Sequence, residues 1–523
     1  MPTEYTGERY FLSETTMKYS KRHPLITGTL ILTLTGLISR IIGFFYRIYL
    51  SRLFGEEGMG IYQLLSPVLA LSFSLTAAAY QTAISKVVAE QTARRKHASY
   101  HPMLIGLTIT IPLSLLCTGI VFMGADFIGT YLLHETRTIP MLRILAFSIP
   151  FAAIHACING YFYGIKKAGI PAVGQLFEQC VRVGCVFFIS AKAHAEGGSP
   201  TIAVAVTGLA IGELASMLLA VIAIYLCYAK DHLQSSKTHL LPRSFSRLSD
   251  YGDILRMALP LTANRIVLNL LQSVESVSIP SKLRLYGYDT TTALSVYGVL
   301  TGMAMPLIFF PNALTSSVAV LLLPIISENH ALGNRDAVRQ ATLRTVKYCF
   351  GMGCVCMIGF VSLGKWAGTA LFDSALAGHF IVTLGFICPF MYLDTTLSSI
   401  LQGLGMAGKI FVMNVICLLL RLLLYFLQFP QWASPGICGA YWQVSWCRVP
   451  YICLRCIVFY KDRETNPRNA KTGRHNDIVT IVSLHCFKNS HQYLLQFIHK
   501  GIHILKFPIN RCKTHISNCI QIL

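Results

Sequence analysis

The chain has 523 residues, of which 54% are hydrophobic and 13% charged, with a mean hydropathy of +0.55. That composition excludes a soluble globular domain and points to an all-α, polytopic membrane protein. The formal net charge of +21 does not indicate nucleic acid, because the basic residues are scattered through short loops between apolar runs and so report orientation.

Residues 1–16 form a polar extension with Glu4, Glu8 and Glu14, and a lysine-rich start follows from Met17. No cleavable signal peptide is expected, since the apolar run after Lys18, Lys21 and Arg22 continues without an Ala-x-Ala site into a full span. Windows of about 20 apolar residues place spans near 25–50, 58–84, 103–128, 141–163, 172–192, 201–228, 254–277, 293–323, 346–371, 380–404, 410–429 and, weakly, 436–460. Loops on the amino-terminal side carry the excess of Lys and Arg, among them Lys86, Arg94, Lys166, Arg243 and Arg335. The opposite loops hold only a few, such as Arg52, Arg137 and Lys282. Basic loops stay inside, which puts the amino terminus on the cytoplasmic side.

The longest loop, 229–253, reads as a cytoplasmic linker between an N-lobe at 17–228 and a C-lobe at 254–460, each of six spans. No loop is large enough for a catalytic domain, so no enzyme activity, catalytic residue or cofactor is expected. The 17 cysteines are mostly single residues within spans, such as Cys117, Cys180 and Cys349, where a thiol behaves as a small apolar group. After about Pro430 the character changes. Trp432, Trp442 and Trp446 cluster there, and 461–523 is an atypical basic tail rich in Cys and His. Cys512, His515 and Cys519 match no established zinc spacing, so no metal site is assigned. A shifted reading frame or an aberrant end accounts for the change.

Within the apolar part the chain repeats itself. Pro67 and Pro306 are 239 residues apart, as are Thr76 and Thr315, Pro150 and Pro389, Gly164 and Gly403, Gly169 and Gly408, and Arg182 and Arg421. Phe147 to Arg182 aligns on the second half without a gap, which favours a parallel duplication over chance agreement between Gly- and Pro-punctuated helices. Pro67, Pro150, Pro306, Pro311 and Pro389 fall within spans and are expected to bend them.

A charge deep in a bilayer costs several kcal/mol and normally faces a water-filled cavity or a partner. Arg40 and Arg47 are seven apart in the first span and share a face with Thr33 and Gly36, which suits an anion-binding cavity. The bland alternative is snorkelling of Arg47 to the interface with a structural partner for Arg40. The seventh span carries a second polar stripe of Arg265, Asn269, Gln272 and Ser276, with Glu275 beside it. If both first helices line one cavity, Arg40, Arg47 and Arg265 bind substrate there with Asn269, Gln272 and Glu275. Alternatively Arg265 is solvated near a helix end.

His155 and Asp394 stand at repeat-equivalent positions and are candidates for coupling H+ or Na+, against ordinary hydrogen-bonded structural roles. Glu178 and Arg182, four apart, read as an intrahelical ion pair.

The runs Ser39-Arg40-Ile41-Ile42-Gly43-Phe44, Gly55-Glu56-Glu57-Gly58-Met59-Gly60-Ile61-Tyr62, Ala83-Ile84-Ser85-Lys86-Val87-Val88-Ala89-Glu90 and Pro324-Ile325-Ile326-Ser327-Glu328 carry a family resemblance. Over roughly 17–430 the chain resembles the polysaccharide-transport branch of the multidrug, oligosaccharidyl-lipid and polysaccharide (MOP) exporter superfamily. The resemblance implies MATE-like lobes with a central cavity, and alternating access that moves a polyprenyl-pyrophosphate-linked saccharide such as lipid II to the outer leaflet. It also implies membrane lipids as surroundings and a role in spore cortex or cell-wall synthesis. Drive would come from a coupling ion or the membrane potential. Related lipid II flippases hold the pyrophosphate with first-helix arginines, which Arg40 and Arg47 match with one extra residue between them. The arginine of their eighth helix has no counterpart in the uncharged stretch Tyr297 to Thr301, and the chain beyond about residue 460 lacks their two further helices. A multidrug or toxin cation antiporter of the same fold is the alternative, and it would want acidic and aromatic groups.

Overall fold

The computed structural model describes residues 24–95, 100–234, 248–285 and 287–432. The extension at 1–16, most of the linker, the weak span at 436–460 and the tail lie outside the described residues, as do Cys512, His515 and Cys519. What is described is helical. In order along the chain the main helices are α1 (Pro24–Leu64), α2 (Ser66–Phe73), α3 (Ala79–Arg95), α4 (His101–Met123), α5 (Ile139–Ala146), α6 (Ser148–Gly164), α7 (Gly169–Ala195) and α8 (Ala203–Gln234). They continue as α9 (Leu248–Leu285), α10 (Thr290–Gly298), α11 (Asn312–Ala331), α12 (Arg335–Phe372), α13 (Ala375–Gly385), α14 (Cys388–Gly403) and α15 (Ala407–Trp432). Hydrocarbon offers backbone groups no partner, so a spanning segment must close its hydrogen bonds within itself.

Among the described residues, seven helices are long and apolar enough to cross a membrane, or up to nine if each bent pair is one span. One of them, Leu34–Thr92, runs for 59 residues. At about 1.5 Å per residue that is far longer than the roughly 30 Å hydrocarbon core, and it holds two of the sequence-derived spans. The loop expected between those two spans is absent. Helix continues through it, and only Gly55 leaves helical space, at φ 69° and ψ −171°, a conformation that costs a residue without Cβ little.

Four of the five expected prolines sit at helix breaks. Pro67 lies in the first turn that follows one, Pro311 lies between Phe309 and Asn312, and bends of 40° and 60° precede Pro150 and Pro389, whereas Pro306 follows a π-helical stretch, Val299–Ala304, within one continuous helix. A proline has no N–H to donate, so the ladder parts there at least cost.

Packing inverts the pattern of a soluble helix. On α4 the small groups Thr110, Ser114 and Cys117 are buried, while Leu115, Leu116, Ile120 and Met123 are exposed. Leucine gains nothing by leaving lipid, so side chains that permit close approach or hydrogen bonding take the inside.

The chain divides into two compact units, Met1–Ala313 with Gly364–Ile381, and Leu314–Leu363 with Val382–Leu523. In the first, a core around Tyr161 joins α3, α4, α6, α8 and α9 through Ile84, Val88, Ile105, Phe162 and Ile254. Glycines set its helix distances. A Cβ on Gly160 would lie 2.7 Å from the Gln81 carbonyl oxygen, and one on Gly164 2.6 Å from Val88, so α6 meets α3 through a small-xxx-small pair. Further along, α1 meets α10: a Cβ on Gly60 would lie 2.1 Å from the Leu294 carbonyl oxygen, and one on Gly298 2.3 Å from that of Glu56.

At the same end of α1, Arg52 donates to the carbonyl oxygens of Ala370 and Leu371, the latter at 2.9 Å, and Ser374 donates to Glu56 at 2.5 Å. Nearby, Arg137 bridges Glu57 at 2.7 Å and Glu135 at 2.8 Å. Burial alone would push the Glu135 carboxyl up, yet hydrogen bonds from Arg137 and the charges of Arg137 and Arg284 hold it below the usual carboxylate range.

The second unit has its own small core of Leu322, Ile326 and Ile400. Within it Gly403 packs against Ile326 and Gly353 against Pro389.

Replacing Gly60 by valine forces atoms into the Leu294 backbone and should cost at least about 1–3 kcal/mol, the usual toll of overpacking. Thermal unfolding of purified protein in detergent measures it, and an unchanged midpoint would contradict the close α1–α10 crossing.

Candidate functional site

On α1 a period of about 3.6 residues brings Gly36, Arg40, Gly43 and Arg47 to one face. A Cβ built on Gly36 or Gly43 meets no atom within 4 Å, so there is room for a small side chain at those two points. Arg40 is exposed on it and Arg47 is half-buried, with the Tyr62 phenol among its electrostatic neighbours. Ser39, Tyr46 and Leu50 along one flank of that face are buried. Two cations, one exposed and one half-buried, therefore share a face at the depth of a span.

Along α9, Arg265 and Gln272 are exposed and Glu275 is half-buried. Asn269 is committed elsewhere, because its amide donates to the Ala70 carbonyl oxygen at 3.3 Å and to Ser74 Oγ at 2.5 Å, tying α9 to the turn after α2. Glu275 and Ser276 face the buried Tyr297. Of the expected stripe, then, Arg265 and Gln272 lie on the exposed side and Asn269 and Ser276 serve packing.

His155 does not stand alone. Its Nε2 lies 2.8 Å from Glu213 Oε2, and its Nδ1 lies 3.3 Å from the Asn159 amide nitrogen. Glu178 and Arg182 form the expected ion pair at 2.5 Å, and the same guanidinium reaches Glu213 at 3.7 Å. Four side chains from α6, α7 and α8 thus make one half-buried cluster. The carboxylates and the imidazole offer atoms all within 4.8 Å of one another.

Glycine again explains the meeting. A Cβ on Gly208 would lie 2.2 Å from Val186, and one on Gly212 3.2 Å from both Arg182 Cβ and the Glu178 carbonyl oxygen, so α8 presses onto α7 beside Glu213. Glu213 is the member that spacing does not reveal, since it is 58 residues from His155. Its only sequence signal is a carboxylate inside an apolar span. Asp394, half-buried on α14, belongs to the second unit, where its carbonyl oxygen accepts from Ser398 at 2.7 Å.

The family described as polysaccharide biosynthesis protein matches residues 25–330, more than half of the chain, and the chain belongs to it. It is 29% identical over 420 residues to stage V sporulation protein B of Bacillus subtilis (strain 168), covering 80% of each protein. Against the lipid II flippase MurJ of the same organism it is 22% identical over 423 residues, covering 76% of each. Among solved structures it is similar to an inward-facing multidrug resistance MATE family transporter of the MOP superfamily, with a TM-score of 0.64 and 14% identity, covering 83% of this chain and 96% of that one. It is similar too to a lipid II flippase in an inward closed conformation, with a TM-score of 0.60 and 14% identity, covering 90% and 99%. The fold is that of a multi-pass MOP superfamily membrane protein.

Removing Arg182 leaves two carboxylates facing each other away from water, a change that typically costs about 3–5 kcal/mol. Arg182→Ala should unfold well below the wild type in a thermal scan. An unchanged midpoint would show the ion pair to be solvated.

Proposed function

We propose that this member of the polysaccharide biosynthesis protein family is a flippase for a polyprenyl-pyrophosphate-linked saccharide, moving its head group from the cytoplasmic to the outer leaflet by alternating access. The observation that carries the reading is that Arg40, exposed, and Arg47, half-buried, share one face of α1 at the depth of a span. A diphosphate cannot enter hydrocarbon bare, because the idealised cost of transferring one such charge from water is of order 20 kcal/mol. Guanidinium forks in a hydrated cavity replace that lost hydration, and their planar donors match phosphate oxygens in pairs.

Arg40, Arg47 and Arg265 grip the diphosphate, Gln272 and Glu275 contact the attached sugar, and Asn269 holds α9 in place for them. The prenyl chain stays in lipid throughout. No bond is made or broken, so the protein is a carrier and not an enzyme. Breaks at Pro67, Pro150 and Pro389 supply the joints about which helices rock. Drive comes from a coupling ion, H+ or Na+, or from the membrane potential, with His155 and Asp394 as the titratable candidates.

Two six-helix lobes arising by duplication underlie this cycle. In support, α4 and α6 are joined by Thr110 and Cys157 at 3.2 Å, and α12 and α14 by Cys349 and Thr396 at 3.1 Å. Each residue of the second pair stands 239 places after a residue of the first, with thiol and hydroxyl exchanged. The basic bias of the loops supports a cytoplasmic amino terminus in a bacterial plasma membrane. The printed names of the two Bacillus relatives favour a peptidoglycan precursor in spore cortex or cell-wall synthesis as substrate. A multidrug cation antiporter of the same fold is disfavoured, because the exposed charges of α1 and α9 at issue are arginines, which repel a cationic drug.

In vesicles reconstituted with fluorescent lipid-linked saccharide, Arg40→Ala should reduce translocation to background while the protein elutes as the wild type does. Full translocation by that variant would refute the role.

A further inference from the structure

We propose that His155, Glu178, Arg182 and Glu213 form a proton-binding site at the junction of α6, α7 and α8, in which the His155–Glu213 pair takes up and releases one proton. Two carboxylates and one guanidinium leave the cluster one positive charge short of balance when the imidazole is neutral. At span depth such an imbalance is costly, and the two ways to remove it are to bind a cation or to bind a proton.

Geometry favours the proton. The Nε2 to Oε2 separation of 2.8 Å is that of a direct hydrogen bond and has no room for an ion between the two atoms. The guanidinium already stands against the other oxygen of Glu213 and against Oε1 of Glu178. A divalent metal would also overshoot, turning a deficit of one into an excess of one.

With the Asn159 amide donating to Nδ1, the neutral imidazole carries its hydrogen on Nε2 and donates to Glu213. Uptake of a proton from water makes the ring an imidazolium beside a carboxylate and brings the cluster to neutrality. Release returns the proton to water and restores the deficit.

The other titratable groups around the cluster are phenols and a thiol. From α1, Tyr46 and Tyr62 lie within electrostatic reach of Arg182, and Tyr46 also senses Cys185 of α7. Tyr46 is the chain neighbour of Arg47, and Tyr62 is within reach of Arg47 itself. The two phenols thus stand between the site and the helix that carries Arg40 and Arg47. The use of the proton as a driving force rests on the flippase reading, whereas the site itself does not.

The test uses the full chain in lipid nanodiscs, labelled with 15N-histidine and free of any saccharide. One ring resonance, identified by its loss in His155→Asn, should change from singly to doubly protonated as the pH is lowered. That change should be lost in Glu213→Gln and kept in Glu213→Asp. A ring that holds one form at all pH values in the wild type overturns the proposal, and so does a titration identical in Glu213→Gln. A hundredfold change in sodium should leave the wild-type titration in place. A titration displaced by sodium would assign the site to that ion instead, and this arm decides the matter even if Glu213→Gln fails to fold. Because no substrate is present, a failure here is separate from any failure of saccharide transport.

Discussion

A bilayer withholds water, and the rest of this structure follows from that constraint. Backbone groups with no solvent to bond must pair within each helix, so the described residues are helical wherever they cross. Charges with no solvent must find each other or a hydrated surface. Glu178, Arg182, Glu213 and His155 take the first course, while Arg265 lies exposed on its helix. The same constraint turns α4 inside out, with Thr110 and Ser114 buried and Leu116 and Met123 facing outward.

Lipid also removes the force that would press apolar helices together, so close packing must do the work through dispersion contacts and hydrogen bonds. Glycine decides where those contacts occur. Gly160 and Gly164 set α6 on α3, Gly60 and Gly298 set α1 on α10, and Gly208 and Gly212 set α8 on α7. The last crossing has the largest consequence for chemistry. It brings Glu213 beside a guanidinium already held by Glu178, converting a helix-surface ion pair into a cluster of four groups from three helices. A packing event thus creates the titratable site.

Much of the architecture was legible in the residues. Long apolar windows found the helices, and Pro67, Pro150, Pro311 and Pro389 stand at breaks, whereas Pro112, Pro260 and Pro280 are carried inside continuous helices. Turn position was less legible: the stretch around Gly55 reads as a loop between spans, yet helix runs through it apart from that one residue. The pair Glu178 and Arg182 was visible as an i,i+4 spacing. Glu213 was not joined to it, since no local period connects residues on different helices. The glycine pairs escaped notice for a related reason: small residues are common in any membrane bundle, and only the facing backbone shows which of them touch. The role of Asn269 illustrates the limit of a helical stripe, because spacing alone does not distinguish a side chain lining a cavity from one bonded to the next helix.

On the proposed reading, two arginines on one face of a spanning helix, in a fold shared with MOP superfamily transporters, receive an anionic cargo. The paired cluster behind them supplies a group that can change charge without leaving the fold. Recognition and drive would then sit on neighbouring helices, with Tyr46 and Tyr62 between them. The most direct measurement is native mass spectrometry of the full chain in nanodiscs offered a polyprenyl pyrophosphate and the matching uncharged polyprenol. Selective retention of the diphosphate, weakening as salt rises, is expected. Equal retention of the two lipids would contradict a cationic cavity.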